Sequence, residues 1–283
     1  MAQIIRVIAA WLGDTVAAVE WHELTYAHTQ AVRVRLAANY APASANKGLA
    51  AIKGVLHEAF RLGLMSADRY QRAVDIEPVR GVRLLRGRAL SKGEIDALFA
   101  ACDMQTNQGC RNAALLALCI GCALRRSEAV GLSVDQFDRH GNSIVVIGKG
   151  NRQRSIPLSV GCASALATWL ARRGTVPGPL LLPVDKADQI QPRKLSPEAV
   201  FVILRRLART AGVAPFAPHD CRRTAITFLL RAGVDLVTTA AISGHANISN
   251  CARYSRLGED AKARAVELLQ IPVTASLSAT NQS

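Results

Sequence analysis

Apolar and polar positions follow a helical period along most of this chain and a strand period in one short stretch. Leu49, Ile52, Leu56 and Phe60 recur at steps of three and four, which lines one side of an α-helix, while Asn46, Lys47, Lys53 and His57 fall on a polar side. Pro42 and Ser44 mark the start of that run, and the pattern predicts a helix over Ala43–Leu62. Shorter helices are predicted from the apolar stretch Ile4–Leu12 and from Ala27–Leu36, where arginines alternate with apolar residues. Further along, Ser91-Lys92-Gly93-Glu94 fits an N-cap with its capping-box glutamate, ahead of Ile95, Leu98 and Phe99. Arg111–Val130 reads as one long apolar helix or a helix pair. Helical patterns return at Ala163–Arg172, Glu198–Arg209, Arg223–Arg231, Leu236–Ile242 and Asp260–Leu269. Only Asn142–Leu158 reads as two β-strands, joined by a Gly-Lys-Gly-Asn turn. The fold class predicted is therefore mainly α, with a small antiparallel β-sheet in the second half.

The period is interrupted between Pro78 and Arg88, a stretch with two glycines, one proline and four arginines: Arg80, Arg83, Arg86 and Arg88. This segment divides the chain into a helical domain (1–79), a basic linker (80–89) and an α-rich domain with the sheet (90–272). The small, polar tail (273–283) is expected to be disordered. The linker is either plainly solvated or laid along a phosphate backbone, where arginines offer charge and forked donors; the two readings are compatible.

Charge sharpens the choice of partner. Lys and Arg number 35 against 21 acids, a formal net charge of +14 that favours a polyanion, either nucleic acid or an anionic membrane surface. No apolar run reaches the ~20 residues needed to span a bilayer, and the first residues lack a convincing small-residue cleavage site, so a cytoplasmic location is expected. Seven cysteines scattered through apolar segments read as reduced thiols. Cys119 and Cys122 have zinc-like spacing but no partner pair, and no metal site is predicted.

Cleaving a phosphodiester with a side chain and resealing it needs a nucleophile that can leave again, cations on the non-bridging oxygens, and an acid for the departing sugar oxygen. The second domain offers one phenol, Tyr254, nine residues after His245. Arg125 follows an apolar stretch, with Glu128 three residues on along the same face. His219 and Arg222 share one side of a helix start, where backbone N–H groups favour phosphate. Lys149 sits at the glycine-flanked hairpin tip and can bring an ammonium into a groove. Arg152 and Arg154 point to one face of the second strand, towards phosphate or water. Singly, each has an ordinary alternative: a surface ion pair, an exposed turn lysine, a half-buried tyrosine. The ordered set is what stands out.

That order, Arg125, Lys149, His219-x-x-Arg222, Gly244-His245 and then Tyr254, closely resembles the tyrosine recombinase (phage-integrase) family. The strings Cys122–Leu132 and Gly148–Leu158 resemble the family's first motif and its β-hairpin. The likeness is strong over about residues 88–265 and loose before them, with the simple two-domain architecture of the Xer or Cre kind. It implies that Tyr254 attacks the scissile phosphate to form a 3′-phosphotyrosyl link. Arg125 and Arg222 would hold the phosphate oxygens and His245 would add a hydrogen bond. Lys149 would be the general acid, His219 a base or phosphate ligand, and Glu128 a support. No cofactor is implied. The partner implied is double-stranded DNA, bound by a homotetramer in the synaptic complex and by a monomer or weak oligomer when free. The outcome would be integration, excision or resolution of a mobile element or replicon. Rival readings are a type IB topoisomerase-like nicking-closing enzyme and a catalytically idle DNA-binding regulator. Lys47, Lys53, Arg80, Arg83, Arg86, Arg88, Arg152 and Arg154 are the candidate DNA contacts outside the catalytic set. The sequence departs from the family at Arg126 and Cys221, where apolar residues are common, and at Ser243, where leucine is. The first domain is shorter than is usual, so either a leading helix is dispensed with or the true start lies upstream. The helix at Asp260–Leu269 would pack within its own chain or dock on a neighbouring protomer.

Overall fold

The structure, a computed structural model, describes residues 2–81, 87–148, 150–245, 247–248 and 266. The chain forms two compact units, Met1–Arg86 and Gly87–Ser283, each with its own apolar core. The expectations for Arg83, Arg86, Lys149, Tyr254, the tail and all of the Asp260–Leu269 helix but residue 266 lie outside the described residues.

The first unit contains helices α1 (Ala2–Trp11), α2 (Tyr26–Asn39), α3 (Pro42–Arg61) and α4 (Ala67–Val74). Helix α3 is the predicted amphipathic run. It buries Leu49, Ile52 and Leu56 against the other three. Phe60 departs from that stripe: it lies at the rim, 36% exposed, and stacks on Tyr70 of α4 with ring centroids 5.0 Å apart. The pattern did not predict α4, a polar octapeptide with only Ala73 buried and Ser66 capping the Arg69 N–H. The chain leaving α4 has free carbonyls, and polar side chains of α2 and α3 meet them. Asn46 bonds both the N–H and the C=O of Val79, Arg33 donates to Glu77 O, and Lys53 Nζ donates to Ile76 O at 3.0 Å. Lys53, expected to face DNA, is thus engaged in holding this strap, whereas Lys47 is exposed. Arg80, in the strap's continuation, is exposed and pairs with Glu77 at 3.3 Å.

The second unit begins with α5 (Lys92–Ala100), whose predicted capping box is present: Ser91 Oγ accepts from Glu94 N and Glu94 Oε2 accepts from Ser91 N. Glu94 also binds Arg88 at 2.7 Å, and Arg88 donates to Ala214 O, so this linker arginine is tied into the second unit. The apolar stretch Arg111–Val130 is a helix pair, not one helix. It resolves into α6 (Asn107–Leu116), a π-helical turn (Ala117–Gly121) and α7 (Arg126–Gly131). Gly121 is required at the end of the π turn, because a Cβ there would overlap the Cys162 sulfur. Cys119 and Cys122 are both buried.

The sheet has three antiparallel strands in the order β1 (Phe137–Asp138), β2 (Ser143–Ile147), β3 (Gln153–Pro157). Strand β1, two residues long, is too short to show alternation and was not predicted. Strands β2 and β3 pair from Ser143↔Pro157 to Ile147↔Gln153. Among the described residues the unit also has helices α8 (Val160–Arg173), α9 (Pro197–Thr210), α10 (Pro218–Arg231) and α11 (Leu236–Ser243). Helix α8 lies against α6 and sends Trp169, fully buried, to donate to Leu180 O at 2.8 Å. Helix α10 starts at Pro218, five residues ahead of the predicted span, which places His219 in its first turn. Among the described residues no helix is long and apolar enough to cross a membrane.

Candidate active site

The π turn is what aims Arg125. After it the backbone doubles back, with Cys122 N donating to Ala117 O and Leu124 N to Leu118 O, and Ala123 takes a left-handed conformation (φ 53°). A non-glycine residue there costs about 1 kcal/mol. The reversal turns the Ala123 carbonyl inward, where Arg222 Nη1 meets it at 2.8 Å. Arg125 is next, extended, as the N-cap of α7.

Glu128, one turn into α7 and 8% exposed, is the hub. Its Oε2 accepts from the Arg125 main-chain N–H at 2.9 Å and its Oε1 from Arg125 Nη1 at 2.6 Å. Arg154 Nη2 reaches Oε2 at 2.9 Å, and Arg222 Nη1 lies 4.0 Å from the same oxygen. Burial on its own would raise the pKa of this carboxyl; the hydrogen bonds and charges of Arg154 and Arg125 outweigh it and hold the value below 4.5. One carboxylate is therefore surrounded by three guanidinium groups, a net positive focus suited to a bound anion.

Arg154 corrects one expectation. Instead of offering its guanidinium to phosphate, it is an internal strut, 14% exposed at the side chain, between Glu128 and Ile242 O (3.1 Å). The reason is strand parity. Arg154 shares its face of β3 with buried Ile156, while Gln153 and Ser155 face outward. Arg152, which precedes the strand, is exposed.

The end of α11 closes the site. Gly244 caps it in the left-handed region (φ 66°) and its carbonyl accepts from Arg125 Nη2 at 3.0 Å. A Cβ on Gly244 would lie 2.5 Å from Arg154 Nη1. Gly244→Ala therefore strains the backbone and pushes the strut off Glu128. We expect it to destabilise the second unit by about 1–3 kcal/mol, read as a lowered midpoint in urea.

His245 follows at once. Burial first, then the charges of Arg222 and Arg125, lower its pKa to about 4. Its Nδ1 lies 3.0 Å from Ser243 Oγ, which is also 2.7 Å from Thr239 O. Ser243, at a position where the family commonly has leucine, is fully buried and its hydroxyl fits because these partners meet it. His219 is exposed in the first turn of α10; partial desolvation, then Arg222 and Arg223, lower its pKa, with Asp220 opposing. Both rings are neutral at pH 7. For His245 the unfolded chain takes up its proton near 6.5 and the folded chain near 4. Its contribution to stability is thus complete above 6.5 and is lost as the pH falls towards 4. The expected result is a midpoint that drops across that window, with a smaller drop in His245→Gln.

Four of the six expected catalytic residues come together although they span positions 125 to 245: Arg125 and Arg222 face Glu128, and His219 and His245 lie within electrostatic reach of both arginines. Lys149 and Tyr254 lie outside the described residues. Sequence reasoning missed the carbonyls of Ala123, Ile242 and Gly244, which orient three arginines and have no side-chain signal. Cys221, another departure from the family pattern, is fully buried in α10, and Arg126 is exposed.

Residues 88–260 match the Phage integrase family. The chain belongs to this family, the tyrosine recombinases. Among its relatives, the tyrosine recombinase XerC of Myxococcus xanthus is 30% identical over 239 residues, covering 78% of this chain and 74% of the relative. XerD of Neisseria meningitidis serogroup B is 32% identical over 172 residues, 59% of this chain and 58% of the relative, so that match spans little more than half of XerD. Two solved structures share the fold. The Tn1549 transposon integrase in complex with a circular-intermediate DNA gives a TM-score of 0.68 at 15% identity, covering 95% of this chain and 92% of that one. XerH recombinase in a post-cleavage complex with a palindromic difH substrate gives 0.67 at 18% identity, covering 88% and 71%.

Proposed function

We propose that this protein is a site-specific DNA recombinase that cleaves and rejoins strands of double-stranded DNA with Tyr254 as nucleophile. The observation that carries the reading is the convergence of Arg125 and Arg222 on one buried carboxylate with His219 and His245 beside those arginines, in a chain of the tyrosine recombinase family. In this scheme the phenol oxygen of Tyr254 forms a bond to phosphorus and the bond to the 5′-oxygen breaks. A 3′-phosphotyrosyl ester remains, and Lys149 supplies the proton that leaves with the 5′-hydroxyl. The ester conserves the bond energy, so attack by another strand's 5′-hydroxyl reverses the step without an external energy source.

Arg125 and Arg222 stabilise the charge on the non-bridging oxygens, and Glu128 keeps them in register. His245, neutral at pH 7, donates from Nε2 when Ser243 turns its hydroxyl proton to Nδ1 in place of Thr239 O. His219 accepts the tyrosine proton or binds phosphate. The pairing of two duplexes calls for a homotetramer on DNA, and the substrates fit a mobile element or a replicon in the cytoplasm.

The test is covalent trapping. Nicked duplexes from the DNA flanking the gene are incubated with wild type and Tyr254→Phe and separated on a denaturing gel. A protein–DNA adduct with wild type alone is expected. An adduct formed equally by Tyr254→Phe would sink the assignment of the nucleophile.

A further inference from the structure

Helix α6 carries a second charged centre that shares no residue with the Glu128 cluster. Arg111, on the first turns of α6, is only 4% exposed. Its Nε donates to Asn112 Oδ1 at 2.9 Å, and among the described residues no carboxylate pairs with it. Arg206 on α9, which forms no ion pair among the described residues, repels it. A buried guanidinium beside a second cation is costly unless an anion joins them. Burial first, and then Arg206, lower the Arg111 pKa to about 10, with the charge of Asp188 opposing.

Both arginines line one cleft of about 400 Å³ between α6, α9 and the loop at Pro183–Val184. Two carboxylates are close; Asp188 attracts Arg111 without forming an ion pair with it, and both carboxylates accept main-chain N–H groups. Asp188 accepts from the N–H groups of Asn107 and Gln108 at 2.8 Å each, and Asp103 accepts from Gln105 N at 2.9 Å. Thr106 Oγ1 accepts from Gly109 N. The first-turn donors of α6 are thus already occupied, and what the cleft offers a ligand is the guanidinium pair with the neutral donors Asn112 and Gln108 beside it. The cleft is also lined by the apolar residues Ile203 and Leu207 of α9 and by Leu195. Arginine forks match the paired oxygens of a phosphate, and an apolar wall next to them accepts a small organic body.

We propose that this cleft is a binding site for a small phosphate monoester, its phosphate held between Arg111 and Arg206 and its organic part against Ile203 and Leu207. The volume suits a molecule of that size and excludes a duplex. The inference is independent of the recombinase reading, because it rests on residues that reading does not use.

Thermal unfolding of the full chain tests it, with phenyl phosphate as the probe and sodium chloride at matched ionic strength as the reference. At about ten times its Kd the probe is expected to raise the midpoint of the second unit by about 3–6 °C. Arg125→Gln should retain that shift, since the Glu128 cluster is not involved. Arg206→Gln, a change at an exposed residue that leaves the core untouched, should abolish it, and so should Arg111→Gln if that variant folds. A shift lost in Arg125→Gln but kept in Arg206→Gln would place the phosphate in the candidate active site and overturn the proposal. So would a midpoint no higher than in chloride, or one raised by a short acidic peptide and not by phenyl phosphate.

Discussion

Glu128→Gln is expected to destabilise the second unit by about 3–5 kcal/mol, because it removes the one negative charge shared by three arginines. The amide keeps the size of the side chain but offers a single weak acceptor in place of two charged oxygens. Arg154, at 14% side-chain exposure, and Arg222, at 1%, cannot turn to water and are left repelling each other. In a unit of this size the loss corresponds to a fall in midpoint of roughly 10 °C. The same carboxylate gives a pH signature. Its folded pKa is depressed, so its stabilisation is complete above the ordinary carboxyl range and is lost as the pH falls below 4.5. Urea titrations of wild type and variant should therefore converge in acid. Curves that stay parallel down to pH 3 would show that the hub contributes through packing and not through charge.

Arg222→Lys should reduce single-turnover cleavage of a nicked duplex by about 10²–10³-fold while DNA affinity changes little, if the proposed chemistry holds. The guanidinium is fully enclosed and makes three directed interactions possible from one plane. Nη1 already serves the Ala123 carbonyl and lies next to Glu128, so its other edge is fixed in space by those contacts. A lysine ammonium is a point charge on a different stem and cannot span carbonyl and phosphate together. The variant keeps the net charge, so a large loss of affinity in place of the loss of cleavage would count against a role in the transition state.

Much of this was legible in advance because the relevant signals are local. The stripe in α3, the capping box at Ser91 and Glu94, and the β2–β3 hairpin each follow from residues within one or two turns of one another. Helix α4 was not legible, since a short polar helix with one buried alanine presents no stripe. For Arg111–Val130 a helix pair was one of the two readings, but the position of the break was not legible, for a different reason. It depends on the Cys162 sulfur occupying the space beside Gly121, a contact between residues 41 positions apart. In the candidate site the charged residues could be picked out by type and order, but their division of labour could not. Arg152 and Arg154 look equivalent along the chain. Only the pairing of β3 and the approach of α11 make one an exposed cation and the other a strut.

The turn that opens α7 has a bearing on safety. Its closing bond, from the Arg125 main-chain N–H to Glu128, ends on the same carboxylate that steadies the Arg125 guanidinium. When that turn frays, the arginine loses its carboxylate partner in the same event and keeps only the Gly244 carbonyl. Under the proposed function, a half-folded or damaged copy would keep the positive charge that favours DNA while losing the arginine set to hold the scissile phosphate.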